Sequence, residues 1–388
     1  MAKHDVIVLG LGAMGAAASY QLAKRGTHVL GIDQYAPPHR LGSSHGESRI
    51  TRLACAEGAH LTPFARRSHE IWRELEAELG VSLLTQNGML MIGAPGEHRE
   101  AHGTKNFLTA TIDAADAWGL PYEKLNALQL RERFPAFAIR DGDQGYHDAV
   151  SGFVRPEASI AAQLTQARKL GAQLHLDEKA IEIRQEGREA VVVTDKGTYR
   201  ARQLIVAAGA YLPTLLGSDA LNAHFKVTRQ ILFWFKAKDE AAHRQFTPDR
   251  CPVFIWQLAG EMVFYGFPAL GGLSEGMKIA TEYDAPTSAC GVERTVTRQE
   301  IRHMVETFVK PAFPGLSEEC VRTEVCLYTE VKGARFLIDR HPEHDRIIVA
   351  SPCSGHGFKH SAAIGELLSR MALGECGTLP EFRFDHAS

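Results

Sequence analysis

The stretch from Asp5 to Asp33, DVIVLGLGAMGAAASYQLAKRGTHVLGID, decides the fold of this chain. A short run rich in β-branched residues, Val6 to Leu9, is followed by glycine, which predicts a strand buried on both faces. The alanine-rich segment from about Ala13 to Arg25 predicts a helix, and Thr27 to Ile32 predicts a second buried strand. The order strand, helix, strand predicts a parallel βαβ unit.

Three glycines join the first strand to the helix at the spacing GxGxxG, namely Gly10, Gly12 and Gly15. The first permits a tight turn, the second lets the backbone approach a pyrophosphate, and the third lets helix and strand pack closely. The positive end of the helix dipole then faces the phosphates. Asp33 ends the second strand, where it can accept hydrogen bonds from a ribose, and it favours FAD or NAD over NADP. The unit therefore predicts a dinucleotide site, and a glycine-rich turn in another kind of βαβ unit is the alternative.

The composition is that of an ordinary globular protein. The 388 residues are too many for one compact core and predict two domains, or one large domain with insertions. Apolar residues at 45% and charged residues at 23% are typical of a soluble protein. The net charge of −3 gives no reason to expect nucleic acid or an anionic membrane as a partner. No apolar run approaches the length of a membrane span, and residues 1–5 lack the form of a signal peptide, so we expect a cytoplasmic protein.

The cysteine and histidine patterns predict no metal site. The seven cysteines are odd in number, scattered and without a CxxC pair, which indicates reduced thiols rather than a zinc framework. His341, Glu343 and His344 form the one cluster with metal-ligating residue types. Pro342 lies inside it and forbids the helix that a His-Glu-His site needs, so the better prediction is a polar turn between strands.

A polar loop, residues 34–52, follows the opening unit and is well placed to fold over a bound dinucleotide. Ser43 and Ser44 offer hydroxyl groups, while Arg49 and Arg52 offer fixed cations three residues apart. On a helix this spacing would place both guanidinium groups on one face. A solvated basic patch is the alternative interpretation.

The remainder predicts a mixed α/β (α+β) fold with two discontinuous domains. Residues 1–83, 151–216 and 320–388 are predicted to form the Rossmann-like dinucleotide domain. Residues 84–150 and 217–319 are predicted to form a second domain over the site, built on an antiparallel sheet.

Aromatic-rich segments supply the strands predicted for this second domain: Val227 to Phe235, Val253 to Gln257 and Glu261 to Phe267. Alternating aromatic residues can form a sheet that covers a ligand, or simply the core of a sandwich, and composition does not choose between them. Near the C-terminus, glycines flank the start of a last helix, Ser361 to Leu373, which predicts a second cradle of backbone N–H groups.

The whole chain resembles the sarcosine oxidase and N-methyltryptophan oxidase family of flavoproteins, which belongs with the fructosyl-amine and D-amino-acid oxidases to a larger FAD group. Four motifs carry the resemblance: the opening unit; GSSHGESRITR at residues 42–52; YGFPA at residues 265–269 with Lys278; and CLYT at 326–329 with FLID at 336–339 and SGHGFK at 354–359. The resemblance implies an FAD-binding domain and a substrate domain.

The resemblance also implies roles for residues beside the flavin. Cys326 matches the cysteine whose sulfur is bonded to the 8-methyl carbon of the flavin ring, so FAD is expected to be covalently attached. Lys278 matches the lysine that helps reduced flavin react with oxygen, because a fixed cation in a dry site stabilises the charge on superoxide. Arg49 matches a cation against the flavin face, and His45 lies in the same loop. Judged by residue type alone, Lys278 would be predicted to be a surface lysine and Cys326 a buried structural thiol.

Substrate contacts follow from the same resemblance. Arg52 and Lys359 match the pair that holds the substrate carboxylate, to which arginine brings a bidentate fork and lysine a point charge. Tyr265 is expected at the same site. Family members usually carry a histidine four residues after the lysine that matches Lys278, whereas this chain has Glu282. We therefore expect the pocket to accept a substrate with a cationic or hydroxylated tail.

A second departure follows the flavin cysteine, where the usual Thr-Pro-Asp is replaced by EVKGA at residues 330–334. The resemblance and the glycine motifs together predict these cofactor-binding residues: Gly10, Gly12, Ala13, Met14, Gly15, Asp33, Ser43, Ser44, Arg49, Cys326, Gly355, His356, Gly357, Phe358 and Lys359. The start of the last helix would place N–H dipoles near the flavin pyrimidine.

The resemblance implies a flavin-dependent oxidase: an N-methyl or cyclic secondary amino acid is oxidised to an imine that water hydrolyses, and oxygen is reduced to hydrogen peroxide. The expected partners are this small molecule and molecular oxygen, and the expected state is a monomer. The alternatives are an FAD amine dehydrogenase that uses a protein electron acceptor, and a dinucleotide-binding protein without catalytic activity.

Overall fold

The computed structural model describes residues 4–93, 100–101, 104–257 and 263–385. Its strands are β1 (His4–Leu9), β2 (Val29–Ile32), β3 (Arg49–Thr51), β4 (Leu84–Thr85), β5 (Met89–Gly93), β6 (Glu100–Ala101), β7 (Thr104–Lys105), β8 (Glu123–Asn126), β9 (Gln144–Asp148), β10 (Gly152–Val154), β11 (Gln173–His175), β12 (Ala180–Glu186), β13 (Glu189–Thr194), β14 (Thr198–Val206), β15 (Phe225–Ala237), β16 (Val253–Gln257), β17 (Val263–Gly266), β18 (Met277–Thr281), β19 (Leu316–Val331), β20 (Leu337–His341) and β21 (His344–Ser351).

The α-helices are α1 (Ala13–Lys24), α2 (Thr62–Leu79), α3 (Phe107–Ala117), α4 (Ala127–Arg133), α5 (Pro156–Lys169), α6 (Asp219–Asn222), α7 (Glu240–His243), α8 (Arg298–Met304), α9 (Lys310–Ala312) and α10 (Ser361–Ala372). A π-helical turn, Val305–Val309, joins α8 to α9. Short 3-10 turns lie at Ala59–Leu61, Gly209–Thr214, Lys332–Ala334, Phe358–His360 and Pro380–Phe382.

The first sheet contains the predicted βαβ unit. Strands β11, β2, β1, β14 and β21 run parallel in that order, while the hairpin β12–β13 and strand β20 are antiparallel additions. The strand predicted at residues 6–9 is at most 4% exposed, as expected for a strand covered on both faces. Helices α1, α5, α10 and α2 pack together over one face. Gly365 allows close packing of α10 on α1, because a Cβ there would lie 2.3 Å from the Cβ of Ala17.

The second sheet has the strand order β19-β15-β18-β17-β16-β5-β9-β8, and every pair is antiparallel except β16 with β5. One face packs Phe233, Phe254 and Phe264 against Phe308 and Phe313 from the helical segment after α8. The aromatic residues on this face therefore form a core. The other face of this sheet lies against the polar loop, residues 34–52, of the first domain.

The mixed fold class and the antiparallel second sheet are confirmed. The strand predicted from Glu261 to Phe267 begins at Val263 among the described residues, and 258–262 lie outside them. The predicted boundary at residue 320 falls inside β19, which pairs with β15 from Leu316 to Val331 and so belongs to the second sheet. The remaining domain bounds stay a prediction.

Two local predictions have different outcomes. His341 pairs with His344 where β20 meets β21, so this segment is a turn between strands, as predicted. Arg49 begins β3, which is a strand, so the helical spacing considered for Arg49 and Arg52 does not apply. In the parts of the chain that the structure describes, no helix combines the length and the apolar character needed to cross a membrane.

Candidate active site

A cavity of about 610 Å³ opens where the carboxyl ends of β1 and β2 meet the polar loop. Parallel strands commonly bind ligands at this edge. The predicted cofactor residues that line it are Gly10, Gly12, Ala13, Met14, Asp33, Ser43, Ser44, Arg49, Gly355, Gly357 and Phe358. The predicted residues that lie outside its wall are Gly15, Cys326, His356 and Lys359.

The geometry of the three glycines of the opening turn is compatible with the roles predicted for them. Gly10 has φ +87°, and a Cβ there would lie 2.6 Å from the carbonyl oxygen of Ala207. A Cβ on Gly15 would lie 1.7 Å from the oxygen of Gly10, so only glycine allows this packing. At Gly12 a Cβ would meet no atom within 4 Å, and α1 has no side-chain cap at this residue. The open space and the uncapped N–H groups fit a pyrophosphate.

Asp33, which is predicted to contact a ribose, also forms hydrogen bonds within the protein. It lines the cavity, and its Oδ2 accepts a hydrogen bond from the backbone N–H of Leu11 at 2.7 Å. Its Oδ1 accepts one from the N–H of Tyr35 at 2.9 Å. Burial raises the pKa of Asp33, and these two donors oppose that rise. The carboxylate thus joins the glycine turn to the loop that follows β2.

Lys278 is 2% exposed, so it is not the surface lysine that residue type alone would suggest. Its Nζ donates to the carbonyl oxygens of Gly46 and Ser48, both at 2.7 Å, and lies 3.8 Å from the ring centre of Phe267. Burial lowers its pKa well below the ordinary value, and the nearby Arg49 lowers it further. Lys278 therefore connects the second sheet to the loop beside the cavity.

Arg49 reaches the cavity wall from β3. Its guanidinium group donates to the carbonyl oxygens of Ser48 and Ser43, each at 2.8 Å. These bonds fix a cation beside the glycine turn and hold the second half of the polar loop. The predicted position of Arg49 near a flavin ring is compatible with this geometry.

Cys326 lies in β19 opposite Gln230 and is 1% exposed. Burial raises the pKa of its thiol, and the positive charge of Arg49 opposes that rise. Cys326 is packed with Leu232 and Ala280, while Tyr328, on the same face of β19, lines the cavity. The thiol therefore lies next to the cavity rather than in its wall.

His45 and Glu324 form a buried pair. The His45 Nδ1 lies 2.7 Å from the Glu324 Oε2, and the two side chains are 1% and 7% exposed. Burial raises the pKa of Glu324, but hydrogen bonds from His45 and Arg322 outweigh burial and bring it to about 2. Glu324 was not predicted from the sequence. The available signal was its spacing of two residues from Cys326, which puts both side chains on one face of a strand.

Arg52 and Lys359 converge, as predicted, but they do so around a carboxylate. The Oε1 of Glu57 accepts hydrogen bonds from Arg52 Nη2 at 2.7 Å and from Lys359 Nζ at 3.3 Å. The three side chains are at most 4% exposed. Burial lowers the pKa of Lys359, and the charge of Glu57 opposes that. No local sequence signal pointed to Glu57, whose partner Lys359 is 302 residues away.

Tyr265 and Glu282 lie on the face of the second sheet that carries Lys278. The Tyr265 hydroxyl is 3.1 Å from the Tyr328 hydroxyl, and burial raises the pKa of Tyr265. Glu282 follows the end of β18, is exposed, and contributes to the raised pKa values of both tyrosines. Gln230 fixes the next residue, Tyr283, by hydrogen bonds to its N–H and its carbonyl at 2.9 and 2.8 Å.

A parallel sheet with a glycine turn, an acid after its second strand and a cavity between them define a dinucleotide-binding protein. The chain matches the family described as DAO, FAD dependent oxidoreductase, over residues 5–371. It therefore belongs to this family of FAD-dependent oxidoreductases, and the resemblance found in the sequence is confirmed.

Relatives at the sequence level cover almost the whole chain. The monomeric sarcosine oxidase of Streptomyces avermitilis is 34% identical over 374 residues, which is 95% of this chain and 94% of the relative. The N-methyl-L-tryptophan oxidase of Yersinia pestis is 30% identical over 373 residues, 95% of each chain.

Solved structures share the fold. NikD, described as an unusual amino acid oxidase essential for nikkomycin biosynthesis, has a TM-score of 0.81 at 22% identity, covering 98% of this chain and 96% of NikD. The L-proline dehydrogenase from P. horikoshii has a TM-score of 0.78 at 21% identity, with 98% and 96% covered. At these identities the likeness concerns the fold alone.

Proposed function

We propose that the protein oxidises the secondary amine of an N-methyl or cyclic amino acid, with FAD as cofactor. The observation that carries the proposal is the buried group of Arg52, Lys359 and Glu57 beside the dinucleotide cavity. Arg52 follows the strand that brings Arg49 to the cavity, and Lys359 follows the cavity-lining glycines of the last helix start. Two cations and one anion leave a net positive charge, which suits a substrate carboxylate.

FAD, when bound, supplies the two-electron acceptor for the amine's C–H bond. The residues present fit this cofactor: the Gly12 turn leaves room for the pyrophosphate, Asp33 lies where the ribose is expected, and Arg49 offers a cation to the ring. We propose that Cys326 holds the flavin through a thioether. The support is its match to the family cysteine and its position on the same face of β19 as the cavity residue Tyr328.

Substrate binding requires a rearrangement of the buried charges. In the absence of substrate, Glu57 accepts hydrogen bonds from both Arg52 and Lys359. A substrate carboxylate can take its place, because Arg52 offers a bidentate fork and Lys359 a second donor. Held this way, the C–H bond next to the nitrogen is kept at a fixed position relative to the cavity, which is the positioning contribution to catalysis.

Lys278 acts in the oxygen half of the reaction under this proposal. Although burial lowers the pKa of Lys278, its protonated form stabilises the negative charge that oxygen acquires as it is reduced, and the low-dielectric surroundings strengthen that effect. Two carbonyl acceptors and the Phe267 ring hold the group in place. The products proposed are an imine, which water hydrolyses, and hydrogen peroxide.

Reduction and reoxidation can be tested separately. Anaerobic addition of sarcosine or another N-methyl amino acid should bleach the flavin absorbance, and air should restore it with one peroxide formed per substrate. Lys278→Met should slow reoxidation roughly a hundredfold while bleaching continues. The matched control is Lys238→Met, which changes an exposed lysine on another strand end. A flavin that no secondary amino acid bleaches would refute the function, and one that is reoxidised only by a protein acceptor would indicate a dehydrogenase.

We also propose that Glu282 selects substrates with a cationic or hydroxylated tail. Its carboxylate lies close enough to Tyr265 and Tyr328 to affect their pKa values, so it stands near the predicted substrate site. Comparing turnover of sarcosine with that of basic N-methyl amino acids in Glu282→Gln tests this. An unchanged preference would remove the proposal.

The proposed state is a monomer in the cytoplasm. The absence of a CxxC pair and the scattered thiols support a reducing compartment. Light scattering of the purified protein measures the mass directly, and a value near twice 42.6 kDa would contradict the monomer.

A further inference from the structure

One arginine joins the outer side of the cavity loop to the strand that carries Cys326. Arg294 donates from Nη1 to the carbonyl oxygens of Arg40 and Val325, at 3.1 and 3.2 Å, and from Nη2 to the carbonyl oxygen of Leu41 at 2.9 Å. Val325 directly precedes Cys326. A single guanidinium group therefore connects three chain segments that are far apart in sequence.

The loop segment that Arg294 contacts, residues 36–42, covers the dinucleotide cavity. Pro37, Pro38, His39 and Gly42 line the cavity, while the carbonyl groups of Arg40 and Leu41 point to Arg294. The segment has no helix or strand of its own. Arg294 thus holds residues 36–42, called the cover below, from the side that does not line the cavity.

The rest of the polar loop is held independently. Arg49 binds the carbonyl of Ser43, Lys278 binds that of Gly46, and Glu157 accepts hydrogen bonds from the N–H groups of Gly46 and Glu47. For residues 36–42 the other described polar contacts with the rest of the chain are long: the Tyr211 hydroxyl donates to the Leu41 carbonyl at 3.4 Å, His39 Nε2 lies 3.9 Å from Asp33 Oδ1, and the exposed Arg40 side chain lies 3.7 Å from Glu324 Oε1. The segment can therefore open while the second half of the loop stays in place.

The backbone on both sides of Arg294 is itself held in place by Arg229. Arg229, in β15, donates to the carbonyl oxygens of Glu293 and Thr295, on both sides of Arg294, at 2.7 and 2.9 Å, and forms an ion pair with Glu300 at 2.6 Å. The segment that carries Arg294 therefore does not need to move when residues 36–42 open.

We propose that Arg294 is a latch for the cofactor: it keeps residues 36–42 closed over the cavity and so limits the rate at which FAD enters before the thioether forms, and the rate at which untethered FAD leaves. The inference rests on the proposed cofactor site. Hydrogen bonds to a charged donor are stronger than neutral ones, so losing the two that reach residues 36–42 should have a large effect on opening.

The test uses the full chain carrying Cys326→Ala, in which FAD is exchangeable whether or not the native thioether forms. Binding of FAD to the apoprotein is followed by quenching of flavin fluorescence, and release by its recovery on dilution. Arg294→Ala should speed release roughly tenfold or more, as expected from the loss of charge-assisted hydrogen bonds, and should also speed association. Arg294→Lys should lie between the two, because an ammonium group can still donate to the carbonyl oxygens.

The matched control is Arg40→Ala, which keeps the backbone carbonyl that Arg294 binds and removes a side chain that is 75% exposed and lies 3.7 Å from Glu324. Its two rates should lie within about twofold of those of the parent, because an exposed ion pair contributes little. Release from Arg294→Ala within twofold of the parent would overturn the latch. Faster release with slower association would also overturn it, since that pattern indicates a poorly formed site. If Arg294→Ala lacks cooperative unfolding, Arg294→Lys decides by the same criteria. A parent that binds no FAD refutes the cofactor site itself.

Discussion

Replacing Gly12 by alanine separates cofactor binding from folding. Gly12 has φ −69° and ψ −155°, a conformation open to any residue, and an added Cβ would meet no atom within 4 Å. The free energy of unfolding of the apoprotein should therefore stay the same or rise by about 0.4–1 kcal/mol, because alanine restricts the unfolded chain. Gly15→Ala should instead prevent folding, since its Cβ would overlap the oxygen of Gly10.

The loss of FAD affinity in Gly12→Ala can be worked out from the same geometry. The new methyl group would occupy the space through which we expect a pyrophosphate to approach the first N–H groups of α1. Losing one hydrogen bond to a charged acceptor costs roughly 1.5–3 kcal/mol, and a weaker contact with the helix dipole adds up to about 1 kcal/mol. A total of roughly 3 kcal/mol corresponds to a dissociation constant about a hundredfold higher.

The assay titrates FAD into apoprotein carrying Cys326→Ala, with and without Gly12→Ala, and follows flavin fluorescence. Urea unfolding of both apoproteins, monitored by circular dichroism, supplies the stability control. Equal FAD affinity in the two proteins would refute the placement of the pyrophosphate over Gly12. A destabilised apoprotein would refute the statement that the methyl group enters open space.

Two further variants test the buried charges. Glu57→Gln leaves Arg52 and Lys359 as uncompensated buried cations, so the substrate-free protein should lose roughly 3 kcal/mol of stability. Added acetate should restore part of this stability by taking the place of the missing carboxylate. If acetate stabilised the variant no more than the wild type, the proposed exchange of carboxylates would be contradicted. Glu324 has a folded pKa of about 2, below its ordinary value of 4.5, so its ionisation stabilises the fold above pH 4.5 and this stability is lost as pH falls towards 2. Urea unfolding of Glu324→Gln should show a deficit of up to roughly 3 kcal/mol at pH 7 that shrinks below pH 4.5, and a deficit independent of pH would show that the charge is not responsible.

The opening unit could be predicted from the sequence because its signals are local. Gly10, Gly12, Gly15 and Asp33 lie within one βαβ unit, and each is specified by a turn, a close approach or a strand end. The alternating pattern that marks the strands of the second domain was likewise a local signal. The full length of β19, which pairs with β15 from Leu316 to Val331, had no such local signal.

The buried charges could not be predicted in the same way. Glu324 meets His45 across 279 residues, a contact that exists only once the two domains are assembled, and Glu57 meets Lys359 across 302 residues, a contact that exists only once distant segments of the first domain come together. The burial of Lys278 depends on carbonyl groups 230 and 232 residues away. The family resemblance identified Lys278 and Lys359, but the acids that balance the site are evident only in three dimensions.

The most direct test of the central claim, that a flavin ring lies between the glycine turn and Cys326, is acid precipitation of the purified protein. We predict that the yellow colour stays with the precipitated polypeptide and moves to the supernatant in Cys326→Ala. Colour in the supernatant of the unaltered protein would contradict the tether, and a tryptic flavin peptide lacking Cys326 would contradict its position.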